Sequence, residues 1–175
     1  MTDMQEDVLE GEQCPFCGKK TLTLREAERE IPYFGNIAIF SMTCENQECA
    51  YHKADVEVLD KNDPIKATFK VESEDDLNVR VIKSSFAKIT IPRVGSIEPG
   101  EASNGYITTI EGVINRIKTQ IEKIRDLSED NTEKKKAKNL LKKLTKVLMG
   151  HEELTIKLED PTGNSAIISE KTTKK

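Results

Sequence analysis

No stretch of this chain stays apolar for long: runs such as IAIF and AII fall far short of the roughly 20 residues that a membrane-crossing helix needs. No helical membrane span is expected. Basic residues are missing from the first dozen positions, and the acidic segment 1–11 has neither the charged start nor the apolar run of a signal peptide. A cytoplasmic location follows as the expectation. Histidine is scarce, with only His52 and His151, and no nucleophile, base and orienting group can be assembled around either. A Walker-type phosphate loop is also missing. An enzyme is therefore not expected, and neither a catalytic nor a small-molecule cofactor-binding residue is assigned. The net charge of −4 gives no overall attraction to nucleic acid.

What the chain does contain is a large charged fraction, 33%, beside 36% apolar residues, the balance of a globular protein with a modest core. Its 175 residues suffice for a small metal-held module joined to a core-bearing domain. TLTLRE (21–26), NIAIFSMT (36–43) and ADVEVL (54–59) alternate apolar and polar side chains as half-buried strands do. They place a ribbon over 12–60, ending at the turn cluster KNDP. Further short alternating runs, KATFKVES, LNVRVIKS, AKITIPR, ELTIKLED and SAIISEK, predict a β-domain over 61–169 of sandwich or barrel-like kind. RVGSIEPGEASNG reads as a long surface loop, DPTGNS as a turn, and 170–175 as a disordered tail.

All four cysteines fall in two clusters, Cys14 and Cys17 in CPFCG, and Cys44 and Cys49 in CENQECAYH. In a reducing compartment such clusters are metal ligands more often than disulfides, and thiolate sets of this kind suit zinc. Twenty-six residues separate Cys17 from Cys44, room for an intervening hairpin. Cys14, Cys17, Cys44 and Cys49 are the expected ligands of one zinc ion. The second knuckle is irregular, and His52, spaced CxxH from Cys49, is the alternative to one cysteine. A ribbon this small has too little core to fold unaided, so the zinc is expected to be structural.

Between the β-runs lies an antiparallel helical hairpin, at about 107–149. Ile107, Ile110, Ile114, Ile117, Ile121, Ile124 and Leu127 form one stripe, with a capping box at Thr108 and Glu111. Ala137, Leu140, Leu141, Leu144 and Leu148 form the second, with Gly150 as terminator. The loop SEDN is short enough to turn the helices antiparallel. The second helix carries Lys135, Lys138, Lys142 and Lys146 along one face, either a solvated face or a surface for phosphates or an acidic protein. No arginine or aromatic interleaves them, which weakens the nucleic-acid reading. Pro32, Tyr33 and Phe34, in IPYFG, are a candidate partner anchor on a ribbon loop.

The stretch IPYFGNIAIFSMTC resembles the ZPR family of zinc-finger domain proteins, and DVEVL, DLNVRVIKS, ITIP, ITTIEGVINRI and LEDPTGNSAI extend the resemblance over about 12–169. It implies a mainly β fold with an α insertion: a zinc ribbon, then a double-stranded β-helix carrying the helical hairpin. It also implies binding to translation elongation factor 1-alpha and assistance with its folding. The family's second knuckle is CxxC, so CENQEC resembles it with two extra residues, and Tyr51 falls where the family has tyrosine. This implies Cys49 rather than His52 as ligand. Eukaryotic members carry tandem copies, whereas no repeat is found here, so the chain resembles the archaeal form. The alternative function is RNA or ribosome binding through the basic hairpin.

Overall fold

In a computed structural model, residues 6–31, 35–59, 63–100 and 103–174 are described. Four strands, β1 (Glu6–Gln13), β2 (Lys20–Ile31), β3 (Gly35–Cys44) and β4 (His52–Val58), form an antiparallel sheet in that order. The sheet starts earlier than the expected ribbon boundary at residue 12. All eight residues of β1 are exposed, so the strand carries no alternation and is held by backbone pairing to β2.

Beyond the ribbon, β5 (Ile65–Val71), β6 (Arg80–Lys83), β7 (Lys88–Ile91), β8 (Gly95–Ile97), β9 (Tyr106–Thr109), β10 (Leu154–Asp160), β11 (Ala166–Ile168) and β12 (Thr173–Lys174) form two antiparallel sheets. Their orders are β12-β5-β10-β7-β8 and β11-β6-β9. The alternation seen in sequence sets the core: Ala67, Phe69 and Val71 pair directly with Leu158, Ile156 and Leu154, all buried. Two expectations are corrected here. Gly95–Ile97 is a strand inside the supposed surface loop, because Arg93 takes a left-handed φ of 65° and turns the chain back onto β7. Thr173–Lys174 is paired with β5 rather than disordered.

Helices α1 (Ile110–Leu127) and α2 (Asn131–Leu148) form the hairpin, and Ile110, Val113, Ile114, Ile117, Ile121, Ala137, Leu141, Leu144 and Val147 join the main core. The start differs from the sequence reading. Ile107 and Thr108 lie in β9, and Thr109 is the N-cap, its hydroxyl accepting from the Gly112 amide at 3.2 Å. Ile124 and Leu127 leave the buried stripe, being 53% and 80% exposed. Gly150 ends α2 as expected, at φ 68°, with Gly150 N donating to Val147 O and His151 N to Lys146 O, the paired bonds of a Schellman motif.

The outer edge of β4 is closed by the second domain. Its outward amides on Ala54 and Val58 donate to Asn104 Oδ1 and Asn164 Oδ1 of that domain, while Val56 N donates to the strand's own Asp55 Oδ1. Gly105 N donates to Ala54 O, and Ser85 N to Asp55 Oδ1. Under these bonds Ile31, Ile37, Val56 and Val58 pack with Ile82 of β6, with Ile168 of β11 against them. The turn DPTGNS thus has a second use, since its Asn164 reaches the ribbon.

Candidate metal centre

The β2–β3 hairpin brings the two cysteine clusters together. Its register places Leu22 opposite Cys44, so the last residue of β3 lies beside the first knuckle. In that knuckle Gly18 takes φ 71° and its amide donates to Cys14 O, closing the turn that carries both thiols.

The second knuckle shows how the longer spacing is absorbed. Ala50 takes the left-handed position, φ 48°, and its amide donates to Asn46 O, so residues 46–50 repeat the turn of residues 14–18 with Asn46 in the place of the first cysteine. Cys44 lies two residues upstream, at the strand end, where its amide donates to Tyr51 O. The knuckles also share a backbone contact to sulfur: the amide of Lys19 bonds Cys17, and that of Tyr51 bonds Cys49, each two residues on. The Lys19 amide draws the Cys17 thiol down to about 6, making it a ready thiolate at neutral pH. Burial pushes Cys49 up to about 12, with the Tyr51 amide opposing, so a metal must displace its proton.

The four sulfurs lie within 4.8 Å of one another, and Cys14–Cys49 and Cys17–Cys44 are each separated by 3.8 Å. A tetrahedron of thiolates about 2.3 Å from a central zinc has edges of about 3.8 Å, so the set fits zinc. Four thiolates fill the coordination sphere, which suits a structural ion. His52 is not part of the set: it opens β4, is exposed, and its Nδ1 lies 3.1 Å from Thr43 Oγ1.

The other sequence candidates stand apart from the metal. Tyr33 and Phe34, with Pro32, lie outside the described residues. Lys135, Lys138, Lys142 and Lys146 are exposed on α2, and Lys146 pairs with Glu152 at 2.9 Å. Sequence reasoning missed Phe16, which is 79% exposed between two ligands and stacks on Tyr51 with centroids 5.2 Å apart. Its signal was available, since a side chain between the cysteines of a tight CxxC turn has no core to enter. Among the described residues, no helix is long and apolar enough to cross a membrane.

A four-thiolate ribbon fused to a jelly roll with an inserted helical hairpin defines a zinc-finger protein of two modules. Residues 7–61 match the ZPR1 zinc-finger domain and residues 75–175 the ZPR1 jelly-roll domain. The chain is 41% identical to a ZPR1-like protein of Methanocaldococcus jannaschii, over 90% of this chain and 79% of that one. It is 38% identical to a ZPR1-like protein of Pyrococcus horikoshii, over 90% and 72%. It is 32% identical to the zinc finger chaperone zpr1 of Schizosaccharomyces pombe, over 88% of this chain but 33% of that one. The chain belongs to the ZPR1 zinc-finger family.

Proposed function

We propose that the protein is a cytoplasmic, zinc-held protein-interaction module that acts by binding rather than catalysis, as a chaperone or adaptor for translation elongation factor 1-alpha. The observation that carries this reading is the exposure of large apolar side chains on ordered elements. Phe16 on the first knuckle and Ile124 and Leu127 at the end of α1 present apolar surface that no part of the core needs. A relative's printed name, zinc finger chaperone, supports the class of activity. Zinc on this reading is indirect in its effect, fixing the turn that displays Phe16.

Calorimetric titration of the zinc-loaded protein with its own organism's elongation factor, nucleotide-free and with GDP or GTP, tests the proposal. Saturable binding that weakens in Phe16→Ala and Leu127→Ala is expected. No binding in any nucleotide state, with fold and metal verified, refutes the partner. The alternative, RNA binding through α2, has its support in Lys118, Arg125, Lys138, Lys142 and Lys146, which line one interhelical groove, but Glu122 shares that groove. It requires binding that falls steeply with salt.

A further inference from the structure

A second chemically distinctive site lies away from the zinc. Lys83, the last residue of β6, is 0% exposed, and Tyr106, the first of β9, is its direct cross-strand partner, so the two side chains share a face. The Lys83 ammonium is 5.5 Å from the centroid of the Tyr106 ring, and the Arg116 guanidinium of α1 is 4.1 Å from the same centroid. Two cations converge on one ring, an arrangement that costs energy by mutual repulsion and by burial unless an anion offsets it.

Among the described residues no carboxylate forms an ion pair with either cation. Lys83 donates only to neutral acceptors, Ser84 O at 2.9 Å and Ser103 Oγ at 3.4 Å. Arg116 makes no ion pair among the described residues. Asp55 and Asp160 offset Lys83 at longer range, but Asp55 Oδ1 accepts from Val56 and Ser85 amides, and Asp160 from Ser84, Thr162 and Ser165. Glu98, at the same cleft, is taken by Lys88 and Ser96. Independently, the Tyr106 hydroxyl is buried with no hydrogen-bond partner, a condition that native proteins rarely tolerate without a use. Lys83, Tyr106 and Arg116 line an open cleft of about 370 Å³ together with Ser103 and Asn104. Asn104 already accepts through its oxygen from Ala54 N, which leaves its amide group to donate.

We propose that this cleft binds a small oxyanion, a phosphoryl or carboxylate group gripped by the Arg116 guanidinium, the Tyr106 hydroxyl and the Lys83 ammonium. Arg116 is exposed at the cleft, with Lys83 and the Tyr106 hydroxyl buried in the wall behind it, and the ring fixes the guanidinium in place, so the fork that suits oxyanions is pre-organised. The site adjoins the seam to the ribbon through Asn104, and its existence does not depend on the elongation-factor reading.

The test is a titration of zinc-loaded full-length protein, followed by amide NMR, with sodium phosphate and separately with sodium acetate, ionic strength being held with chloride. Saturable shifts centred on Gly105, Tyr106 and Arg116 with either anion are expected, and the anion that saturates at the lower concentration identifies the group. Arg116→Gln, on an exposed helix position, should raise Kd about tenfold or more. Tyr106→Phe keeps the ring beneath both cations and removes only the hydroxyl, so it should weaken binding several-fold without lowering Tm. Absence of saturable shifts with both anions, or unchanged binding in both variants, overturns the proposal, as do shifts confined to the zinc knuckles.

Discussion

Gly105→Ala probes the seam between ribbon and jelly roll more sharply than any truncation. A Cβ at this position would overlap the Asp55 carboxylate and lie 2.8 Å from Val56 N and 2.9 Å from Asp55 Cα. Two of these neighbours are backbone atoms of β4, which is pinned on its other side by full pairing to β3. The strand cannot retreat, so the clash is relieved only by parting β9 from β4. Overpacking of this kind costs about 1–3 kcal/mol. Parting the strands also breaks the Gly105 N to Ala54 O bond, 2.9 Å, for about 1 kcal/mol more. Against this, alanine restricts the unfolded chain and returns about 0.4–1 kcal/mol. The steric terms win, for a net loss of about 2–3 kcal/mol, which corresponds to a Tm lower by roughly 4–12 °C for a chain of this size. Equilibrium urea unfolding of the zinc-loaded protein reads the difference. A loss below about 0.5 kcal/mol would show that the seam yields freely and that the two modules are only loosely joined.

Other expectations follow from single groups. Chelation of zinc, or Cys44→Ala, should abolish metal binding and melt the ribbon while the helical circular dichroism of α1 and α2 persists, because the main core is built from residue 67 onward; joint loss of both signals would contradict this. Ala50→Gly should stabilise the loaded protein by about 0.5–1 kcal/mol, since alanine at φ 48° bears the left-handed penalty that glycine avoids, and calorimetric unfolding would detect it. Asp160→Asn should cost about 2 kcal/mol at neutral pH through its buried hydroxyl donors Ser84 and Ser165. Burial raises the Asp160 pKa, but hydrogen bonds from Ser165, Thr162 and Ser84 together outweigh it and hold the group below its ordinary value. Its contribution is therefore complete above the ordinary aspartate value of about 3.9 and is lost as pH falls through the lower folded value. Unfolding curves of wild type and Asp160→Asn should converge in acid, and a constant gap at all pH values would refute the assignment.

The elements that could be read from sequence are those whose burial imposes a period. β5 and β10 alternate because one face meets the core, and α1 repeats every three to four residues for the same reason. Where tertiary contact rather than pattern forms the element, the sequence is mute. β1 is exposed along its whole length, and β8 sits among glycine and proline. The helix start was displaced because Ile107 continues the helical spacing while belonging to β9, and two adjacent threonines can each serve as cap. Ile124 and Leu127 keep the period after the core beneath α1 has ended, so periodicity overstates burial there. The zinc ligands were readable because coordination ties four named residue types to fixed spacings. The pairing of Lys83 with Tyr106, and the approach of Arg116 from a helix that begins at residue 110, depend on strand register and docking that no local pattern encodes.

Metal site and seam occupy opposite ends of the same strands, and this couples them. Cys44 closes β3 at the zinc, and Ile37, near its start, is fully buried against Val56, Val58 and Ile82 in the seam. Side chains alternate along a strand, so slipping β3 by one residue against β2 would turn Ile37 away from the seam and carry the Cys44 sulfur off the cluster together. Each end therefore checks the register of the other across about 23 Å of strand. That register is the one in which the outward amides of Ala54 and Val58 on β4 face Asn104 and Asn164. The ion is structural in its coordination, yet what it secures lies beyond the knuckles: the edge of β4 that the jelly roll must recognise in order to dock.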